Sequence, residues 1–185
     1  MQNRCSWCGD DPLYIRYHDE EWGVPCRNSR GLYELLMLES FQAGLSWITI
    51  LRKREAFRAR FAEFDPDILA LWGEPEIGAA LGDAGIVRHR GKIVAIIKGA
   101  QAWRRIEAQQ GFAQFIWETV GGVRQVNRVT SQSDIQASTA ESTQLSKRLK
   151  SEGFNFCGPV ICYAFMQAAG LVNDHALTCP RHGQV

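Results

Sequence analysis

Helix punctuation recurs along the chain and no stretch carries sustained strand alternation, so the sequence is confined to an all-α fold. Asn28 or Ser29 can cap a helix running to about Ala43, with Gly44 to end it. Ser46 can cap a second, from Trp47 to about Phe61. Asp65-Pro66 pairs a capping side chain with a first-turn proline, which has no amide hydrogen to leave unbonded there. A short helix is expected over roughly 75–83, and Gly85 then breaks the chain. Ile93, Ile96, Ile97 and Ala100 have the spacing of one buried helical face. Phe112 to Thr119 is a further candidate. Residues 121–137 are polar, contain two glycines and read as an extended connection. The helical pattern resumes at Leu145 and Leu149, stops at Gly153, restarts at Pro159 and ends at Gly170.

At 185 residues with 45% apolar side chains, the chain can bury a real core as a single unit. Its net charge of +1 excludes a broadly basic, nucleic-acid-coating protein but not a local basic patch. No apolar run approaches the length of a membrane span. The start, Met1-Gln2-Asn3-Arg4-Cys5, lacks the apolar stretch of a signal peptide, so a cytoplasmic protein is the expectation; nothing in the sequence suggests an oligomer, and a monomer is expected. The six cysteines, at 5, 8, 26, 157, 162 and 179, then read as thiols or metal ligands rather than disulfides. Cys157 and Cys162 lie in apolar company and read as core.

Four features could carry chemistry. Glu39 follows Leu32, Leu35 and Leu36 at helical spacing on a helix apolar on most sides. A carboxylate there loses hydration and needs either a partner or a job; the plainer reading is a salt-bridged helix end. Trp7, Tyr14, Tyr17, Trp22 and Trp47 alternate with polar residues instead of joining an aliphatic run. Any one of them could be core, but flat rings beside an acid suit a planar cation.

The third feature is the turn Asp83-Ala84-Gly85-Ile86-Val87-Arg88-His89-Arg90-Gly91-Lys92. Its glycines let backbone amides approach an anion, and the next helix points its N-terminus toward the turn. From Ala84 to Ile106 there are six Lys or Arg and no acid, which suits a phosphate backbone or, more plainly, a solvated helix face. The fourth is metal. Cys5 and Cys8 have C-x2-C spacing, Cys179 and His182 have C-x2-H spacing, His175 lies four before Cys179, and His18 is available. Sulfur with imidazole favours zinc in a closed four-ligand site that would tie the chain ends together.

Four long stretches, DPLYIRYHDEEWGVP (11–25), LESFQAGLSWITIL (38–51), GIVRHRGKI (85–93) and GFNFCGPVICYAFMQAAGLVNDH (153–175), resemble the 3-methyladenine DNA glycosylase I family. They follow the family's order and span nearly the whole chain. The resemblance implies a helix-hairpin-helix glycosylase fold over residues 1–185, with the hairpin at about 76–100. It implies excision of 3-methyladenine from alkylated double-stranded DNA by base flipping. Glu39 and Tyr17 would hydrogen-bond the flipped base, Trp47 would stack on it, and Trp7, Tyr14 and Trp22 would line its pocket. Structural zinc would sit on Cys5, His18, His175 and Cys179, leaving Cys8 and His182 as a rival pair. Gly44, Leu45, Gly85, Arg88, Arg90, Gly91 and Lys92 would meet the DNA, with Leu45 filling the vacated stack and Lys92 on a phosphate.

A non-catalytic zinc module would explain the cysteines and the basic run but not the acid among aromatics. A glycosylase for a different lesion would explain all of them. Glu39 could serve recognition or act on water, and a part for Asp174 stays open. Glycosylases of the helix-hairpin-helix type that also cut the strand use a lysine just after the hairpin turn. The equivalent position here is His89, so base removal without strand cleavage is expected.

Overall fold

The computed structural model describes residues 4–185. Met1, Gln2 and Asn3, on which the expectation of a leaderless start rests, lie outside the described residues. The architecture is α-helical, with the following helices among the described residues: α1 (Pro12–Glu20), α2 (Ser29–Gln42), α3 (Trp47–Arg60), α4 (Pro66–Leu69), α5 (Glu74–Gly82), α6 (Arg90–Gln109), α7 (Phe112–Trp117), α8 (Ala140–Glu152) and α9 (Pro159–Ala168). Eight of these lie where caps and apolar faces put them, with ends shifted by a few residues at most except for α8, whose start at Ala140 precedes its first patterned leucine.

The ninth, α1, is a helix the sequence reading does not assign. Asp11 caps it by accepting from the Leu13 and Tyr14 amides (2.9 and 3.3 Å), and Pro12 occupies the first turn. That is the same device as Asp65-Pro66, where Asp65 accepts from the Asp67 amide. One expected cap works differently. The Ser46 hydroxyl bonds Thr49 Oγ1 (2.8 Å) and no helix amide, so α3 starts there on backbone conformation alone.

Helix α2 is the central element. Leu32, Tyr33, Leu36, Met37, Leu38 and Phe41 are all buried, because α3, α6, α7 and α9 pack around it. The Tyr33 hydroxyl donates to the Ile96 carbonyl of α6 (2.8 Å), which satisfies the one polar atom that side chain brings into the core. Phe41 packs edge-on to Phe57 of α3 at 4.7 Å between ring centres.

The connection at 121–137 is extended as expected, but part of it pairs. Residues Gln125–Val126 (β1) and Val172–Asn173 (β2) form a short parallel pair, continued by a bridge between Val129 and Ala176. Two residues are too few for alternation to show, and the partner lies far along the chain. This pair fixes the segment that carries Asp174 and His175. Two glycines complete the junction. Gly23 has φ +79° and a Cβ there would lie 2.7 Å from His175 Cε1; Gly170 has φ +70° and a Cβ would meet the backbone of residues 23–25 at 2.5–2.7 Å. Only glycine lets these two loops close on each other.

Candidate active site

The C-terminal half of α2 turns Glu39 and Gln42 toward α1, the start of α3 and α9. Between them lies a cavity of about 180 Å³, walled by Trp7, Tyr14, Tyr17, Trp22 and Trp47, with Ala164 and Gln167 from α9 and Gln132 and Ile135 from the long connection. All six side chains singled out in the sequence around an acid-and-aromatic pocket therefore meet in one cavity. The rings brace one another: Trp7 stands edge-on to Tyr14 (5.0 Å) and Trp22 (4.9 Å), and Tyr17 is tilted against Trp47 at 5.3 Å.

Gln42, Gln132, Ile135, Ala164 and Gln167 were missed. Gln42 lies three residues after Glu39, on the same helical face, and that spacing was the available signal. Gln132 and Ile135 come from an irregular segment and gave none.

Glu39 is 3% exposed, and its Oε2 has no hydrogen-bond partner among the described residues. It is not the salt-bridged helix end of the plainer reading. Loss of hydration pushes its carboxyl up to about 8. The Trp7 and Trp47 indole N–H groups are likewise buried and unpartnered among the described residues. Burial raises the Tyr17 hydroxyl well above its ordinary value, and the Glu39 charge adds to that shift. A native protein rarely leaves three buried polar atoms unsatisfied around one cavity without a use for them.

Asp174 is buried but fully engaged. Its Oδ1 accepts from Asn127 Nδ2 and its Oδ2 from the Tyr163 hydroxyl and Gln167 Nε2, each at 2.7 Å.

At the chain ends, Cys5, His18 and Cys179 bring their donor atoms within 4.8 Å of one another, all buried. The His18 Nδ1–H faces Asp19 Oδ1 (2.8 Å), which leaves Nε2 beside Cys179 Sγ (3.6 Å). His175 lies outside that tightest trio, but its ring centre is 5.2 Å from that of His18. Its Nδ1 is held by Asn173 Oδ1 (3.0 Å), and its Nε2 is buried with no partner among the described residues. Burial lowers the His175 imidazole to about 3 and raises the Cys5 thiol to about 12. Cys8 instead donates to the Cys5 carbonyl (3.1 Å), and the His182 Nε2 sits at the Asn127 carbonyl (3.2 Å). The C-x2-C with C-x2-H pairing is therefore not assembled. The cluster backs the pocket, since Trp22 packs against His175 (4.6 Å) and Trp7 against His18 (5.4 Å).

The residues expected at DNA divide. Gly44, with φ +79°, and Leu45, 42% exposed, form the turn between the pocket-lining Gln42 and Trp47. Arg88 and Gly91 are exposed. Arg90 is exposed and paired with Glu74 at 2.7 Å, a surface contact of little strength that a phosphate could replace.

Lys92 and Gly85 differ from expectation. Lys92 is 7% exposed, and its Nζ donates to the Phe41 and Ala43 carbonyls (2.9 and 2.5 Å), closing the C-terminus of α2. It sits in the first turn of α6 and points at the core, so it does not reach for a phosphate. The Gly85 amide is taken by Asp83 Oδ1 (2.8 Å). The six-cation run is also dispersed: Arg104 pairs with Asp67 (3.1 Å), and Arg105 donates to the Glu152 carbonyl (2.5 Å).

Comparison with known proteins bears on the family and the fold. The methyladenine glycosylase family profile matches residues 7–182. The DNA-3-methyladenine glycosylase 1 of Escherichia coli (strain K12) is 52% identical over 177 residues, covering 95% of each chain. A crystal structure of a 3-methyladenine DNA glycosylase I superposes with a TM-score of 0.95 at 51% identity, covering 96% of this chain and 98% of the other. A variant of such an enzyme, solved in complex with 3-methyladenine, superposes at 0.93 with 41% identity over 96% of each chain. Alike in sequence and in fold over nearly its full length, the chain belongs to the methyladenine glycosylase family of hydrolytic DNA glycosylases.

Proposed function

We propose that this protein removes 3-methyladenine from alkylated duplex DNA by flipping the lesion into the Glu39 cavity and letting water replace the base at the sugar. The observation that carries the reading is the buried, unpartnered Glu39 carboxyl in an aromatic cage. The relative solved with 3-methyladenine bound supports the same ligand class. Methylation at N3 gives the base a formal positive charge and makes it a good leaving group. The protein's part is then to extract the base, hold it and select it. Flipping costs a few kcal/mol, less for a damaged base. Stacking against Trp47 returns about 1–3 kcal/mol. Leu45, exposed beside the cavity mouth, fills the gap left in the duplex. Arg88, with the Arg90 and Gly91 amides that precede the first intrahelical bond of α6, meets the phosphates.

Strand cleavage is not part of this reaction. The position after the hairpin turn is His89, whose Nδ1 accepts from the Lys92 amide (3.2 Å) and caps α6. The next lysine along the chain, Lys92, is held by two carbonyls, and the Lys53 amine is spent on the Ala84 and Gly85 carbonyls of the turn (3.1 Å each).

Zinc is the second part of the proposal, with Cys5, His18, His175 and Cys179 as ligands. Both histidines fit: each has its Nδ1 fixed by an oxygen acceptor, which leaves Nε2 as the lone-pair nitrogen. A metal would also give a use to two buried thiols and a buried imidazole nitrogen that lacks a partner among the described residues. The ion would be structural, bracing the ring wall of the cavity from behind.

The test is release of free base from alkylated duplex DNA, followed by chromatography. Wild type should release 3-methyladenine and leave an intact strand with an abasic site. Glu39→Gln, folded, should release almost none. DNA binding without base release would favour a non-catalytic zinc module.

A further inference from the structure

Gln167 lies on α9 and lines the cavity, yet one end of its amide is already committed. Its Nε2 donates to Asp174 Oδ2 at 2.7 Å. A carboxylate can only accept, so the buried Asp174 selects the NH2 end of that amide and rejects the oxygen end. Asp174 is itself fixed: Asn127 Nδ2 donates to its other oxygen and the Tyr163 hydroxyl to the same one, each at 2.7 Å. Three donors thus converge on its two oxygens and hold the side chain in one orientation. The tyrosine stays a donor, because burial and the neighbouring carboxylate both raise its hydroxyl above its ordinary value. The remaining end of Gln167, the Oε1 acceptor, meets no donor among the described residues and is left for the cavity.

We infer that Gln167 is a specificity-determining residue which offers a fixed acceptor to the exocyclic amino group of the flipped base, with Asp174 as the positioning residue that sets its polarity. Adenine presents an amino donor at C6, where guanine presents a carbonyl acceptor. An acceptor that cannot turn round binds the first and repels the second. A freely rotating glutamine would serve both, and the buried Asp174–Tyr163–Asn127 network removes that freedom. The cavity thereby separates alkylated adenine from alkylated guanine by hydrogen-bond polarity, which charge cannot do, since both lesions are cations.

This inference rests on the proposed excision of 3-methyladenine, and the experiment separates the two. Dissociation constants of free 3-methyladenine and 3-methylguanine are read from quenching of the cavity tryptophans, alongside base release from duplexes carrying each lesion. The variants are Asp174→Asn and Gln167→Met. The amide introduced by Asp174→Asn can keep its oxygen toward Asn127 and turn its NH2 toward Gln167, which lets the Gln167 amide reverse. The preference of that variant for 3-methyladenine over 3-methylguanine should fall by about tenfold, the range of one neutral hydrogen bond. Gln167→Met has no polarity to set and should lose a similar part of the preference, chiefly through weaker 3-methyladenine binding. It also keeps the inference testable if the Asp174 variant does not fold. Both variants folded with the wild-type preference would overturn the role of Gln167 while leaving excision intact. Wild type that releases no 3-methyladenine would instead overturn the proposed function.

Discussion

Replacing Glu39 by glutamine should make the protein more stable at neutral pH while abolishing its activity, and the size of the gain follows from burial. A carboxyl whose value rises from 4.5 when exposed to about 8 in the fold keeps its proton in the native state after the unfolded chain has lost it. The sign follows by linkage. Stability due to the protonated group is complete below 4.5, declines as pH rises, and is fully lost once pH passes about 8. Each unit in that window is worth about 1.4 kcal/mol. At pH 7 the native protein has therefore given up roughly 3 kcal/mol, and above pH 8 roughly 5 kcal/mol. The Glu39→Gln side chain carries no such liability and has nearly the same shape.

Urea denaturation of both proteins between pH 5.5 and 8.5 tests this. The difference in unfolding free energy, variant minus wild type, should grow by up to about 1.4 kcal/mol per pH unit and flatten above pH 8. Every other titrating group, His175 included, cancels in that difference. A difference that is flat with pH would show that the carboxyl is solvated or paired, and the reasoning from its burial would fall. A sloping difference in a variant that still excises 3-methyladenine would keep the burial but remove the function assigned to it.

Further outcomes follow from the other buried groups. Cys5→Ser and Cys179→Ser should lose zinc and thermal stability together, whereas Cys8→Ser should keep one ion per chain by metal analysis; loss of zinc in Cys8→Ser with retention in His18→Ala would reverse the ligand set. Gly23→Ala should lower zinc content and melting temperature, since its Cβ would lie 2.7 Å from the His175 ring; unchanged metal content would show that the ring can move aside. Lys92→Met should lower stability by about 1–3 kcal/mol through two carbonyls left unsatisfied at the end of α2, read by denaturation. Borohydride should trap no protein–DNA adduct with wild type, and a trapped adduct would make the enzyme bifunctional.

The helices were legible because capping and apolar spacing are local: Asn28 caps α2 and Asp65 caps α4 within three residues of where they stand. The acid-and-aromatic site was legible because a buried acid and polar-flanked rings are costly features that packing alone does not require. What was not legible is pairing across the chain. Lys92 looked like a phosphate contact because it stands in a basic run with Arg88 and Arg90, but helix phase turns it inward onto α2. Gly85 looked open until Asp83, two residues before, took its amide. Asp174 could not be assigned because its three partners come from positions 127, 163 and 167, distant in the chain or on another element. Helix α1 is the exception, since its Asp-Pro cap at 11–12 is as local a signal as the one at 65–66.

The state of Glu39 also bears on how a cationic base is told from a neutral one. With its carboxyl at about 8, the acid is mostly protonated at pH 7 while the cavity awaits a ligand. Ionising it there costs about 1.4 kcal/mol. An alkylated adenine brings a positive charge, and a charge pair about 4 Å apart at an effective dielectric of about 20 gains about 4 kcal/mol. The attraction exceeds the cost, so under the proposed function the lesion would enter as the acid releases its proton. Normal adenine brings no charge, leaves Glu39 protonated, and gains only a neutral hydrogen bond of about 1 kcal/mol. It must also leave an undamaged stack to get there. The difference of roughly 2 kcal/mol in the cavity adds to the easier unstacking of the damaged base. A carboxyl near its ordinary value would hold a standing charge in the empty cavity, at a cost in stability that burial makes large. Under the proposed function, an acid held at the edge of ionisation would let the lesion itself complete the charge.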